Sequence, residues 1–160
     1  MTLNRMMLFT VVCISTLVPA RWSSAADAVR LIFDTDMMGD VDDVGTVAVL
    51  HALADQGEVD VLAMGLSGKN PWSPLCLDAL NTYFHRPNIP LGVVRGDAFD
   101  KRSRYAETIA REFPHDLKSA DDAPDAAELY RRVLAEQPDE SVVMVSVGQL
   151  TNFRNLLQTG

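Results

Sequence analysis

Cysteine is almost missing from this chain. There are 2 in 160 residues, Cys13 and Cys76, and Cys13 lies in an apolar leader-like stretch. A mature chain that keeps only Cys76 cannot close an internal disulfide. Cys76 itself sits in an apolar segment and reads as a core residue rather than a nucleophile. Basic residues are also scarce: 14 Lys and Arg stand against 22 Asp and Glu, a formal net charge of -8. Without a basic footprint, nonspecific nucleic-acid binding is excluded. Internal repeats and low-complexity tracts are missing as well. What remains is a globular composition, 48% hydrophobic and 22% charged, long enough for one domain with a core.

The apolar run at residues 7–18 is too short for a comfortable transmembrane helix. Arg5 precedes it, and Ser24-Ala25-Ala26 follows with the small residues of a cleavage site. This pattern predicts a secretory signal peptide at residues 1–26, cut after Ala26, with an uncleaved anchor as the alternative. Cys13 lacks a small residue just before it, which argues against a lipoprotein. The expected location is secreted or periplasmic, with no membrane association after cleavage.

Beyond the leader, strand and helix patterns alternate. Residues 29–33 form a near-continuous apolar run, as in a parallel strand covered on both faces. Residues 44–53 carry a helical apolar face that ends at Gln56-Gly57. Further strands are expected at residues 59–66, 91–94 and 141–147. Helices are expected at 75–84, 104–112, 126–136 and from about Thr151. The alternation predicts a three-layer α/β fold with a mostly parallel sheet flanked by helices. Lys101, Arg102 and Arg104 read as a solvated basic loop. The last helix has barely begun when Gly160 closes the sequence, which suggests a truncated fold, a fragment of a longer protein.

The chemistry is concentrated in residues 34–43, DTDMMGDVDD, with five aspartates in ten residues. They follow a strand and open a helix, at the strand end where α/β proteins build sites. Five like charges need a positive partner, and hard oxygens favour Ca²⁺ or Mg²⁺. The simpler alternative is a solvated turn in which Asp40 or Asp42 caps the helix. An EF-hand reading fails, because Met38 stands at the fifth position and Gly45 where the bidentate glutamate belongs. A second reading resembles the haloacid dehalogenase-like phosphatases, with Asp34 attacking phosphorus, Asp36 as acid/base and Ser146 in a second motif. Met38 fits that family poorly, and no lysine and acidic-pair motif follows.

The whole loop resembles the signature of the inosine-uridine preferring nucleoside hydrolase family: Asp-x-Asp, a short loop, then Asp-Asp. The form TDMMGDVDD is similar to a longer-loop branch of that superfamily. NTYFHRPNIP at residues 81–90 resembles the family's Gly-Arg-Pro-x-Ile-Pro turn, with His85 for glycine. VSVGQLTN at residues 145–152 resembles its Thr-Gly-Pro-Leu-Thr-Asn, with Val147 for threonine and Gln149 for proline. The resemblance runs from Leu31 to the end, and makes residues 27–160 the N-terminal part of such a domain.

The resemblance implies hydrolysis of the N-ribosidic bond of a nucleoside by calcium-activated water. By position, Asp36 would be a Ca²⁺ ligand and the general base, and Asp43 a second ligand. Val147 would ligate through its backbone carbonyl. Asp42 would hold ribose hydroxyls, and Asp34 would support the ligands from behind. Asn70 would contact ribose, or serve as a turn asparagine. In this family a C-terminal half supplies another ligating aspartate, more ribose contacts and a leaving-group histidine. His51 and His115 are expected to be packed or surface histidines instead. A chain without that half would be at most a non-catalytic cation-binding remnant. Base preference and oligomeric state, a homo-oligomer included, are left open.

Overall fold

Strands and helices alternate along the chain as their apolar periodicities require. A computed structural model describes residues 27–158; the leader expected at residues 1–26 lies outside them. β1 (Val29–Thr35) leads to α1 (Asp42–Asp55), β2 (Val59–Leu66), α2 (Ser73–Tyr83) and β3 (Leu91–Val93). Then follow α3 (Ala106–Glu112), a 3-10 turn (Ala120–Asp122), α4 (Ala126–Ala135), β4 (Val142–Ser146) and α5 (Thr151–Gln158). The expected elements are present, with ends shifted. β1 runs on past its apolar run to include Asp34 and Thr35. α1 begins early enough to hold Asp42 and Asp43 in its first turn.

The strands form one parallel sheet in the order β3-β2-β1-β4. The chain builds outward from β1 to β3, then returns to lay β4 on the other side of β1. That reversal is a topological switch point, where the carboxyl ends of the strands leave a crevice. Asp34, near the end of β1, pairs with Gly65 of β2 and Ser146 of β4. The crevice is therefore floored by β1 and β4.

Side chains alternate across the sheet, and each face has its own core. Leu31 and Phe33 pack with Val47 and Leu50 of α1, Cys76 and Leu77 of α2, and Ala106 of α3. Ile32 points the other way, to Ala126, Leu129 and Tyr130 of α4, with Phe153 and Leu156 of α5 beside them. The result is a three-layer α/β fold. Ile32 and Phe33 are both 0% exposed, and each contributes about 1.5–3 kcal/mol of burial free energy. Covering on both sides explains why β1 reads as a continuous apolar run rather than an alternating one.

Two turns show what the backbone demands. Gly57, with φ +73°, follows α1 where the sequence predicted its stop. His85 follows α2 with φ +61°, a left-handed conformation that glycine adopts at lower cost. Among the described residues, no helix is long and apolar enough to cross a membrane.

Candidate functional site

The five aspartates of residues 34–43 do not share one environment. Asp34 follows Ile32 to the α4–α5 side of the sheet. It is 0% exposed. Tyr130 Oη donates to its Oδ2 at 2.6 Å, and Asn152 Nδ2 donates to the same oxygen at 2.8 Å. Burial raises its pKa from 3.8 to about 6, and the Tyr130 and Asn152 hydrogen bonds oppose that rise. Its Oδ1 has no hydrogen-bond partner, and neither do Ser146 Oγ and Asn152 Oδ1. Gly65 makes the arrangement fit: a Cβ there would lie 1.7 Å from Tyr130 Oη. A carboxylate sealed this way cannot attack phosphorus, so the phosphatase reading of Asp34 fails on access.

Asp43 faces the α1–α2 side. Thr35 Oγ1 donates to its Oδ1, and Tyr105 Oη donates to its Oδ2 at 3.5 Å. Its pKa is raised, first by burial; the Thr35 bond opposes this, and the negative charge of Asp36 adds to it. Asp36 is half-buried, one residue past the end of β1. Asp42 is exposed on the first turn of α1. Its pKa is also raised, first by a hydrogen bond with the Asp40 carboxyl and further by the charges of Asp43 and Asp40. None of these groups caps α1: the N-cap is Val41, with no side-chain cap bond. The simple capping alternative therefore does not account for the cluster.

The carboxylate oxygens of Asp40, Asp42 and Asp43 lie within 4.8 Å of one another. Calcium–oxygen distances of roughly 2.4 Å let one ion bridge oxygens about 4.8 Å apart. The donors are all hard oxygens, and crowded negative charge adds to the raised pKa values of Asp42 and Asp43, a repulsion a cation would relieve. The residues fit a divalent cation. The three-carboxylate set differs from the assignment by position. It contains Asp43, adds Asp40 and also Asp42, which the assignment by position gave to ribose, and does not include Asp36, although the charge of Asp36 acts on Asp43. Asp34 does not converge with the others, because strand alternation sends it to the opposite face.

The loop holding these groups is anchored by its middle. Met37 has φ +51°, uncommon for a residue with a Cβ. Its side chain is 0% exposed and that of Met38 is 1% exposed. Ser73 Oγ donates to the Met37 carbonyl at 3.0 Å. The two buried methionines are plugs that pin the loop to the core.

β4 closes the crevice from the other side. A Cβ on Gly148 would fall 2.5 Å from the Asp36 backbone nitrogen and 2.7 Å from Ser67 Oγ, so only glycine allows this close approach. Val147, just before it, donates its N–H to the Asp34 carbonyl at 3.0 Å. Asn70 is 6% exposed. Its Oδ1 accepts from the Trp72 N–H at 2.9 Å, and its Nδ2 donates to the Lys101 carbonyl at 3.1 Å. That geometry matches the turn alternative and leaves one amide hydrogen for any ligand. His51 is 0% exposed and meets Asn81 Oδ1 at 2.9 Å. Both ring nitrogens of His115 meet backbone carbonyls, of Leu117 at 2.7 Å and Ala110 at 2.8 Å. Both histidines are structural, as expected.

Asp40, Thr35, Tyr105, Tyr130 and Asn152 were not assigned from sequence. Asp40 carried a signal, two residues before Asp42, and Asn152 lies in the VSVGQLTN stretch. Tyr105 and Tyr130 gave none, since each reaches its aspartate from far along the chain. A cleft of about 340 Å³ is lined by Gly68, Lys69, Asn70, Arg95 and Gly96 among others. A larger hollow of about 730 Å³ lies at the far end of α1, by Asp55, Tyr83, Arg86 and Phe113. His85 lines it as well, and neither hollow is lined by an aspartate of residues 34–43.

No protein-family model and no curated protein matches this chain. Solved structures do. The effector protein XOO4466 superposes with a TM-score of 0.63 at 14% identity, over 82% of this chain and 39% of that one. A plant nucleoside hydrolase, the PpNRh1 enzyme, superposes with a TM-score of 0.59 at 22% identity, over 82% of this chain and 43% of that one. The chain thus spans about two fifths of the length of the structures it matches. Its fold is nucleoside hydrolase-like.

Proposed function

We propose that this chain builds the acidic part of a site that hydrolyses the N-ribosidic bond of a nucleoside, in the manner of the inosine-uridine preferring nucleoside hydrolases. The observation that carries the reading is the carboxylate group of Asp40, Asp42 and Asp43, beside Asp36, at the switch point of a nucleoside hydrolase-like sheet. Because the matched structures are longer, the proposal covers only the groups this chain provides.

Asp43 belongs both to the three-carboxylate set and to the assignment by resemblance, so it is the anchoring ligand. Thr35 and Tyr105 hold its two oxygens. Asp36 and the Val147 carbonyl would complete this chain's share of a Ca²⁺ shell, with Asp40 as a further oxygen. When bound, Ca²⁺ would lower the pKa of a water molecule and orient it. Asp36, half-buried beside Asp43, would serve as general base toward a water held there. Asp42, exposed at the rim, accepts hydrogen bonds from ribose hydroxyls. Cleavage leaves positive charge on the ribosyl ring, and the fixed negative groups around it favour that charge more than the neutral ground state. Asp34 bears no chemistry; it braces β1 from the opposite face. Export is part of the proposal, with residues 1–26 removed so that the product starts near Asp27.

The test is ribose release from inosine and uridine by the full natural product, with and without a calcium chelator. Asp36→Asn should lower the rate by about 10²-fold or more while the protein stays folded. Activity that survives both the chelator and Asp36→Asn would sink the mechanism. N-terminal sequencing of the exported protein checks the leader, and a mature chain that retains Met1 refutes it.

A further inference from the structure

The segment between β3 and α3 crosses over the acidic loop and is pinned along its length. The Lys69 N–H donates to the Phe99 carbonyl at 2.9 Å. Asn70 Nδ2 donates to the Lys101 carbonyl at 3.1 Å. Ser103 Oγ accepts from the N–H groups of Tyr105 and Ala106, at 3.4 and 3.1 Å. Ala106 is 0% exposed, and Tyr105 packs against the same core cluster. Residues 99–105 are therefore a strap with fixed ends, and its basic side chains Lys101, Arg102 and Arg104 are exposed, as expected of a solvated loop.

Tyr105 reaches the acidic centre, and Lys101 reaches the loop that carries it. Tyr105 Oη is 3.5 Å from Asp43 Oδ2, while Thr35 occupies the other oxygen. Lys101 is exposed as a residue, yet its Nζ lies 2.9 Å from where a Cβ on Gly39 would stand. Gly39 is the neighbour of Asp40. An ammonium group thus sits against the loop that carries the three carboxylates, in a chain of net charge -8.

We propose that this strap tunes the cation affinity of the acidic centre through two opposed groups. Tyr105 is a positioning residue: its hydroxyl holds Asp43 in the orientation a divalent cation needs. Lys101 is a built-in competitor: its positive charge partly neutralises the cluster and repels an incoming cation. The inference rests on the cation-binding part of the proposed function and goes beyond it by assigning residues outside the aspartate motif.

The two roles predict opposite signs, whereas a strap that was merely structural would move both variants the same way. Calcium binding to the full chain is measured by calorimetry at fixed low ionic strength, with melting curves for each variant. Tyr105→Phe should weaken binding about tenfold, as loss of a group that orients a ligand does. Lys101→Gln should tighten it about two- to fivefold, an effect that shrinks with added salt. Lys101→Arg keeps the charge and should bind like the wild type. If both Tyr105→Phe and Lys101→Gln weaken binding, or neither changes it, the strap role is overturned and the metal centre stands. Equal affinities for Lys101→Gln and Lys101→Arg overturn it as well, even if Tyr105→Phe fails to fold. If the wild type binds no calcium, the metal reading itself fails and this inference with it, a failure visible before any variant is made.

Discussion

Gly65 and Tyr130 should be energetically coupled, because one makes room for the other. Tyr130 Oη donates to Asp34 Oδ2 at 2.6 Å, and Asp34 Oδ1 has no partner. Tyr130→Phe removes one donor from a buried carboxylate. A hydrogen bond to a charged group contributes about 1.5–3 kcal/mol, so the variant should lose roughly 2 kcal/mol. In Gly65→Ala, the new Cβ would lie 1.7 Å from Tyr130 Oη and 2.6 Å from Cζ. Tyr130 is 0% exposed and cannot swing into solvent. The ring must shift, which breaks the same bond and adds overpacking strain of about 1–3 kcal/mol. That single change should therefore cost about 4 kcal/mol. In the double variant the bond is lost once, not twice, and the closest clash is gone because the oxygen is gone. Its cost should fall short of the sum by about 1.5–3 kcal/mol, the value of the shared bond. Urea unfolding followed by circular dichroism at pH 7 gives all three values. Independent sites add within about 0.5 kcal/mol, so additivity at that level would refute the linkage through Asp34.

Two other groups make checkable predictions. Cys76 is fully buried, and burial above all pushes its thiol up to about 12; a thiol reagent at pH 8 should label it only in denaturant, and rapid labelling of the native protein refutes its core placement. His51 is held neutral below its ordinary 6.5, first by burial, against the bond to Asn81, with Arg86 lowering and Asp55 raising its pKa. Because the folded value is depressed, its contribution is complete above pH 6.5 and is lost as pH falls through the folded pKa. The melting temperature should drop over that range, and His51→Gln should flatten the drop; an unchanged slope refutes the assignment.

Much of the fold was legible because it is written in local periodicity. The apolar run before Asp34, the helical face after Asp43 and the Gln56-Gly57 stop each follow from neighbouring residues, and each stands where expected. Element ends were less legible. β1 continues through Asp34 and Thr35, two polar residues, because ladder bonds to β2 and β4 on both sides carry it on. Propensity gave no reason to extend a strand into an acidic motif. Asn70 shows the same limit in a loop. Its sequence position suited a ligand contact, but the Trp72 amide and the Lys101 carbonyl engage its side chain, and Lys101 is distant in sequence.

The aspartate motif itself reads differently once its strand geometry is known. Five carboxylates in ten residues suggest a single charged centre. A strand instead sends neighbours to opposite faces, and that rule divides the motif. Asp34 goes to the α4–α5 side, where Tyr130 and Asn152 reach it from 96 and 118 residues away. Thr35 goes to the other side, where it meets Asp43. The same short stretch therefore does two physical jobs. Through Asp34 it ties the late helices to β1, and through Thr35 it fixes the first turn of α1. Gly148 then lets the β4–α5 turn come within van der Waals contact of the Asp36 backbone. Asp36 is thus held between an early strand and a late turn, although its own loop has no regular structure. A loop carboxylate can be a base only if its position is fixed, and here the fixing comes from the residues on either side of it rather than from the acidic cluster.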